Sequence, residues 1–432
     1  MVIRAIQGKG SLKDLSGPRN MVRRISAISK RYGVNANAMQ QTVGLLAEIL
    51  GRFGCGATFP ITIRVLVRNN RVLDKYRTTN IELAAHGFSH VDHTQLPLEE
   101  QVRHLTETRA VCEEQGISCV GFRSPYLRWN ENTITAVRES GYLYDSSQAL
   151  AWSLASKSAT RSYEHVLGFY GAISAAEYPS LPRLDDGLVR IPCCLPDDEA
   201  LVDRLGLETV ETMTREWLSI LARTYELGEL FTLGLHPERI RPCETSLVET
   251  LRQARAMSPA VWIARLDQIA CWWVARTETN VSICDSDDGE LQLSVDGPDG
   301  VTVLVRGLEL SAPTVAWDGV YEQVNGSRLR LRTDRRPFIG ISASTPPRLA
   351  SFLRQQGYIV EHAATHETHA LYLDRPSFHQ EDERALLAEI EHSAHPLVRL
   401  GRWPNGARSA LCITGDIDAL TIWDYGLRLL GR

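Results

Sequence analysis

Residues 408–425 read RSALCITGDIDALTIWDY. Residues 410–413 form a short apolar, strand-like run. It passes through Gly415 and delivers Asp416 and Asp418 to its carboxyl end. Two carboxylates at a strand end suit one metal ligand and one general base. The same letters also describe a plain acidic turn. The readings separate on whether the rest of the chain supplies imidazoles for a metal and a sheet for the strand to join.

Composition bounds the answer. At roughly 100–200 residues per domain, 432 residues mean two domains or one large α/β barrel with additions. Hydrophobic residues at 44% and charged residues at 23% are ordinary for a globular protein and exclude wholesale disorder. A net charge of −5 offers no global attraction to nucleic acid or to an anionic membrane. The nine cysteines contain no CxxC pair, so a reduced intracellular protein with free thiols is expected. The opening MVIRAIQGKGSLKDL has no apolar signal core, and no run of 18 apolar residues occurs. A cytoplasmic location is the expectation.

Periodicity predicts helices over 19–33 and 37–54, a strand-like run over 57–67, a strand at 81–85 and a helix over 98–115. Strands at 118–122, 188–192 and 230–235 follow, with helices over 133–141, 210–227, 244–257 and 259–277. Alternating strands and helices imply a parallel sheet or barrel. From 280 to 335, turn signals such as DGPDG and NGS punctuate short alternating runs, which reads as a small antiparallel module. Residues 337–375 read strand, helix, strand, and 381–393 a charged helix.

Three further stretches lie at expected strand ends. AAHGFSHVDH, 84–93, places His86 and His90 four apart, where one helical turn would aim both imidazoles at one metal. His93 is a neighbour. GFRSPYLRW, 121–129, holds Arg123, Pro125 and Tyr126; the proline stiffens a turn able to aim a backbone N–H at an oxyanion. FTLGLHPERI, 231–240, puts Leu235 and His236 after an apolar strand. Taken alone, each has a bland reading: surface histidines, a loop, a structural histidine.

Together the four stretches resemble one family, the polysaccharide deacetylases of NodB-homology type, carbohydrate esterase family four. AHGFSH resembles its zinc-histidine motif, GFRSPY its Arg-x-Pro-Tyr motif, LGLHP its late Leu-x-His motif and TGDID its opening Asp motif. The resemblance implies an α/β fold, a distorted (β/α) barrel. It also implies hydrolysis of a linear amide, most simply N-deacetylation of an acetamido sugar or a metabolite bearing one. His86, His90 and Asp418 would hold Zn2+ or another divalent ion. Asp416 would be the base, His236 the acid, and the Tyr126 N–H an oxyanion donor. Arg123 would pair with an acid, for which Asp197 or Asp198 is a candidate. Pro125 and Leu235 would bind substrate, Leu235 lining an acyl-methyl pocket. The Asp-x-Asp form leaves open which aspartate is base and which is ligand.

The order departs from the family, whose Asp-bearing strand comes first. Here it is expected at 403–432, so the barrel of 1–279 would lack its first strand and regain it by circular permutation. The inserted parts would be a β module, 280–335, and an α/β segment, 336–402. Strand exchange within a homodimer, or the start of a second domain at 403, are the alternatives. The family's tryptophan-bearing motif is not evident in 188–202, which keeps two other functions in view: a C–N hydrolase of a non-sugar metabolite, and a non-catalytic carbohydrate-binding relative. The substrate would be a glycan or small molecule with an N-acyl group; nucleic acid and membrane partners are not expected. His362, His366 and His369 mimic metal spacing, but on a strand i and i+4 sit about 13 Å apart; His392 and His395 fare no better.

Overall fold

The parallel strands of the first half pair in chain order. In the computed structural model, which describes residues 31–69, 79–155, 160–285, 290–310 and 312–429, Ala57–Ile61 pairs with Ile81–Ala85, then Gly121–Phe122, then Tyr144–Asp145. Tyr144–Asp145 pairs with Leu188–Arg190. Each of these segments bends and continues, as Ala149–Ala151 and Cys193–Leu195, which pair with each other. Cys193–Leu195 meets Leu230–Gly234, and that strand meets Ser409–Thr414. Ser409–Thr414 in turn pairs with Ala57–Ile61, so the hydrogen-bonded circuit returns to its start. The fold is a distorted (β/α) barrel.

Ser409–Thr414 lies inside the sheet, between Ala57–Ile61 and Leu230–Gly234. All six of its residues are buried, as expected of a parallel strand covered on both faces. Its register carries Thr414 beside Thr58 and Gly234, and the pairing runs on through Gly415 N–H to Thr58 O and Ile417 N–H to Pro60 O. Gly415 is required by this crossing: a Cβ there would lie 1.7 Å from the Leu235 carbonyl oxygen.

Helices pack around the strands as their apolar stripes dictate. Val210–Leu227 is capped by the Thr209 hydroxyl, which accepts from Thr212 N–H, and ends at left-handed Gly228. It buries Met213, Trp217, Ile220 and Leu221 against the barrel. Of the helix expected over 19–33, residues 19–30 lie outside the described residues.

Three expected elements are corrected. The 57–67 run divides into the strand Ala57–Ile61 and the helix Ile63–Arg68, because Ile63 and Arg64 N–H turn to the Gly87 and Phe88 carbonyls. Both halves are apolar and rich in β-branched residues, so composition alone does not separate them. The 259–277 helix begins only at Leu266; Val261–Ile263 is a strand laid against Ser409–Thr414. The strand after 118 shortens to Gly121–Phe122.

Residues 280–331 form antiparallel strands in two small sheets, one of which is completed by Leu397–Leu400 pairing with Val303–Arg306. Arg336–Ile341 lies between Val360–His362 and His369–Leu373 in a separate parallel sheet. Arginines fasten this part to the barrel through helix-end carbonyls, Arg402 to Leu227 O at 2.9 Å and Arg408 to Tyr225 O at 2.9 Å. No helix among the described residues is long and apolar enough to cross a membrane.

Candidate metal centre and its acid–base pairs

The carboxyl ends of five barrel strands converge on one site, as they do in (β/α) barrels generally. Ile81–Ala85 runs into His86, Gly121–Phe122 into Arg123, Cys193–Leu195 into Asp197 and Asp198, Leu230–Gly234 into His236, and Ser409–Thr414 into Asp416 and Asp418.

His86 Nδ1 lies 2.8 Å from the Arg123 carbonyl oxygen. A carbonyl only accepts, so Nδ1 donates to it and Nε2 is the ring nitrogen turned toward the acids. That Nε2 lies 3.3 Å from Asp418 Oδ1, and His90 Nε2 lies 3.3 Å from the same oxygen. Burial, with the Arg428 charge adding to it, pulls the His90 imidazole down to about 4, which leaves it neutral. Asp418 Oδ1 is buried with no hydrogen-bond partner among the described residues, while Oδ2 is bound by Arg428 at 2.7 Å. Ligand atoms of His86, His90 and Asp418 all lie within 4.8 Å of one another. An orphaned carboxylate oxygen facing two imidazole nitrogens fits a divalent cation. The donor set, two imidazoles and one carboxylate, is of the kind catalytic zinc takes.

The histidines meet by a different route from the expected helical turn. Residues 86–92 form a loop of bends, with Gly87 at φ +80° turning the chain. His93 stands outside the cluster, its Nδ1 3.4 Å from the Ser124 hydroxyl.

Beside the triad, Asp416 Oδ2 lies 3.6 Å from His86 Nε2, and Asp416 Oδ1 accepts from Arg123 Nη1 at 3.0 Å. Arg123 is itself buried and held by Ser146 O at 3.1 Å and the Ser146 hydroxyl at 3.0 Å. Burial would raise the Asp416 carboxyl; the His86 and Arg123 charges outweigh it and hold the group below the usual carboxylate range. The acid that pairs with Arg123 is therefore Asp416, which corrects the expectation of Asp197 or Asp198. Asp198 instead binds His236, Oδ1 to Nδ1 at 2.6 Å and Oδ2 to the backbone N–H at 2.8 Å. Asp197 accepts from Ala200 N–H at 2.7 Å. Burial would lower the His236 imidazole, but the Asp198 charge raises it well above its ordinary value.

Tyr126 and Leu127 both adopt left-handed backbone, φ 61° and 53°, directly after buried Pro125. Such strain is held where a site over-determines it. The Tyr126 ring stands edge-on to His90, centroids 4.4 Å apart. Leu235 is fully buried in the barrel core, its N–H donating to Thr414 O at 2.6 Å. The two groupings of metal-type donors among the described residues do not include His362, His366, His369, His392 or His395. His369 Nε2 is bound to Glu361 at 2.9 Å.

One residue escaped the sequence reading, and one was assigned to the wrong partner. Arg428 carries no spacing signal, since it reaches back from the helix Ile422–Leu429. Asp198 had one, since CCLPDD is another apolar strand ending in paired acids, but its partner is His236 and not Arg123.

The polysaccharide deacetylase family model matches residues 16–144, a span that contains His86, His90, Arg123 and Tyr126. A peptidoglycan deacetylase-like protein, FGM2, of Gibberella zeae is 30% identical over 129 residues, and the match covers 27% of this chain. The chain spans about a third, 35%, of that relative's length. Among solved structures, a Mycobacterium smegmatis protein assigned as a polysaccharide deacetylase is 22% identical, with a TM-score of 0.43 over 61% of this chain and 86% of that one. PuuE allantoinase is 17% identical, with a TM-score of 0.46 over 59% and 76%.

Proposed function

We propose that this chain, which matches the polysaccharide deacetylase family over residues 16–144, is a metal-dependent amide hydrolase that removes an N-acetyl group from an acetamido-bearing glycan. The observation that carries the reading is the orphaned Asp418 Oδ1, shared by His86 Nε2 and His90 Nε2 with Asp416 alongside.

His86, His90 and Asp418 would hold the ion, zinc being the best match to the donors. A bound divalent ion acidifies water and polarises an amide carbonyl. Asp416 takes the proton from the attacking water, and Arg123 keeps it ionised and aimed. Asp418, nearer both imidazoles, serves as ligand, an assignment supported by its 3.3 Å approach to each against 3.6 Å from Asp416 to His86. The Tyr126 N–H, presented by the strained turn, faces the developing oxyanion. His236, kept protonated by Asp198, gives its proton to the departing amine. Proton acceptor and proton donor thus stand on separate strands of one barrel mouth. The place of Ser409–Thr414 in the sheet supports a permuted strand order within one chain over strand exchange.

The test is acetate release over a panel of acetamido sugars and their oligomers. Protein stripped of metal and then resupplied with zinc, cobalt or manganese is compared with the stripped form. Release that depends on the ion supports the reading. Full release by stripped protein, or release from no acetamido compound, overturns it.

A further inference from the structure

The helix Ile422–Leu429 follows the strand end that carries Asp416 and Asp418, and it turns Arg428 back onto the candidate centre. Its start is pinned. The Asp424 carboxylate accepts from Leu420 N–H at 3.3 Å, Thr421 N–H at 3.2 Å and Asn69 Nδ2 at 3.1 Å. Ile422 N–H donates to Gly33 O at 3.0 Å. Farther along, the Arg428 guanidinium lies 5.8 Å from the Tyr425 ring centroid and 5.9 Å from that of Tyr126. Aromatic rings at such distances attract a cation and steady it.

The guanidinium spans two of the three candidate ligands. Nη1 lies 2.7 Å from Asp418 Oδ2, and Nη2 lies 3.3 Å from His90 Nε2. A guanidinium has only N–H groups to give, so Nε2 meets it as an acceptor. His90 lacks the carbonyl partner that steadies His86. Its Nδ1 is buried without a hydrogen-bond partner among the described residues, whereas His86 Nδ1 has Arg123 O at 2.8 Å. Arg428 steadies His90 from the opposite side of the ring.

The groups that Arg428 holds are those a divalent ion would use. Nε2 has one lone pair and cannot give it to Arg428 and to an ion together. Asp418 keeps Oδ1 for an ion, but its charge is already drawn toward a cation at Oδ2. Outer partners of metal ligands are commonly carbonyls or carboxylates, which raise ligand basicity and strengthen binding. A guanidinium has the opposite sign: it repels a cation and draws charge from the carboxylate it shares.

We propose that Arg428 is a resident counter-cation of this centre. It keeps Asp418 and His90 in ligating posture and competes with the divalent ion for both, so the ion binds more weakly than the triad alone would hold it. The inference rests on the metal-centre reading above. Arg428 offsets Asp418 as Arg123 offsets Asp416, so the two largely buried acids keep their places with or without an ion.

Zinc affinity of stripped protein, measured by competition with a chromophoric chelator, is the readout. Arg428→Gln removes the charge and keeps an N–H for Asp418 Oδ2; it should bind zinc about tenfold more tightly than the wild type. Arg428→Lys keeps the charge and should stay near the wild-type value. Stripped Arg428→Gln should melt below the stripped wild type, and zinc should raise its Tm by the larger step. Binding by Arg428→Gln equal to or weaker than wild type overturns the proposal, as does an Arg428→Lys that tightens as much as Arg428→Gln. If Arg428→Gln folds only with zinc present, the ion has replaced the guanidinium and the proposal stands. If it folds under neither condition, Arg428→Lys decides: wild-type affinity keeps the proposal, and changed affinity overturns it. A wild type that binds zinc, with no tightening in Arg428→Gln, removes the counter-cation and leaves the metal-centre reading in place. Zinc bound by neither protein removes both.

Discussion

Arg123 donates to the Asp416 carboxylate at 3.0 Å across 293 residues of chain. The two side chains leave different strand ends, and neither is placed by its own loop. Arg123 is braced by Ser146 and Thr414, so its charge is fixed where Asp416 arrives. In the proposed reaction, a base held this way stays ionised and keeps its aim. Asp416→Asn should therefore lower kcat by about 10²–10⁴ while metal content stays near wild type. Arg123→Gln should also lower kcat, with the acidic limb of the pH–rate profile moved to higher pH, because one of the charges that depress the Asp416 carboxyl is gone. Wild-type turnover in Asp416→Asn would remove Asp416 as the base.

The metal prediction separates the two aspartates. His86→Ala, His90→Ala and Asp418→Asn each delete one donor of the triad and should each weaken metal binding by about 10²-fold or more, since catalytic zinc has three protein ligands to lose from. Metal content after dialysis, measured by plasma mass spectrometry, checks this. If Asp418→Asn keeps its metal and Asp416→Asn loses it, the roles are reversed.

What sequence could carry here was position along the chain; what it could not carry was direction. His86, His90, Arg123, His236, Asp416 and Asp418 were all legible because apolar runs end just before them, and parallel strands gather their ends at one barrel mouth. The place of Ser409–Thr414 beside Ala57–Ile61 was legible too, from a barrel one strand short at one end and a spare strand at the other. Which acid faces which base was not. Asp198 and Asp416 both follow strands, and only the three-dimensional fold turns the first to His236 and the second to Arg123. Likewise, an apolar run such as 57–67 has one composition whether it stays extended or coils, and the hydrogen bonds of Ile63 and Arg64 to the histidine loop decide.

Gly415 joins the fold to the site. Its missing Cβ lets the strand bearing Asp416 and Asp418 cross the Leu235 backbone, and both contacting groups are main chain with no flexible end to yield. Gly415→Ala should cost about 3 kcal/mol or more, at the upper end of overpacking effects. Chemical denaturation measures it. A loss under about 1 kcal/mol would mean the crossing is looser than the 1.7 Å approach implies.

Under the barrel, at the opposite end from the site, Glu82 accepts from Thr58 at 2.6 Å and Tyr144 at 2.7 Å. Burial, and then the Asp267 charge, push its carboxyl up to about 7 from an ordinary 4.5. A folded-state value above the unfolded one means the unfolded chain gives up this proton first. Stability from this group is thus full below about 4.5 and falls as pH rises toward 7. Glutamine mimics the protonated acid, so Glu82→Gln should match wild-type Tm near pH 4.5 and exceed it above pH 7. A Tm difference that does not grow across that interval would show that Glu82 is ionised in the folded protein without penalty.

The last prediction concerns the proton donor. His236 is buried, which alone would favour the neutral ring, yet the Asp198 charge at 2.6 Å raises it well above its ordinary value. In the proposed reaction the active form is the protonated one, so activity should fail on the alkaline side as His236 loses its proton. Asp198→Asn keeps the shape of the pair and removes the charge. The His236 value must then drop, and the alkaline limb of kcat/KM must move to lower pH, with the acidic limb set by Asp416 left in place. His236→Ala should abolish that alkaline limb along with most of the activity, and metal content should hold in both variants. An alkaline limb at the same pH in Asp198→Asn and wild type would assign it to another group, and His236 would then be a structural histidine that happens to face the barrel mouth.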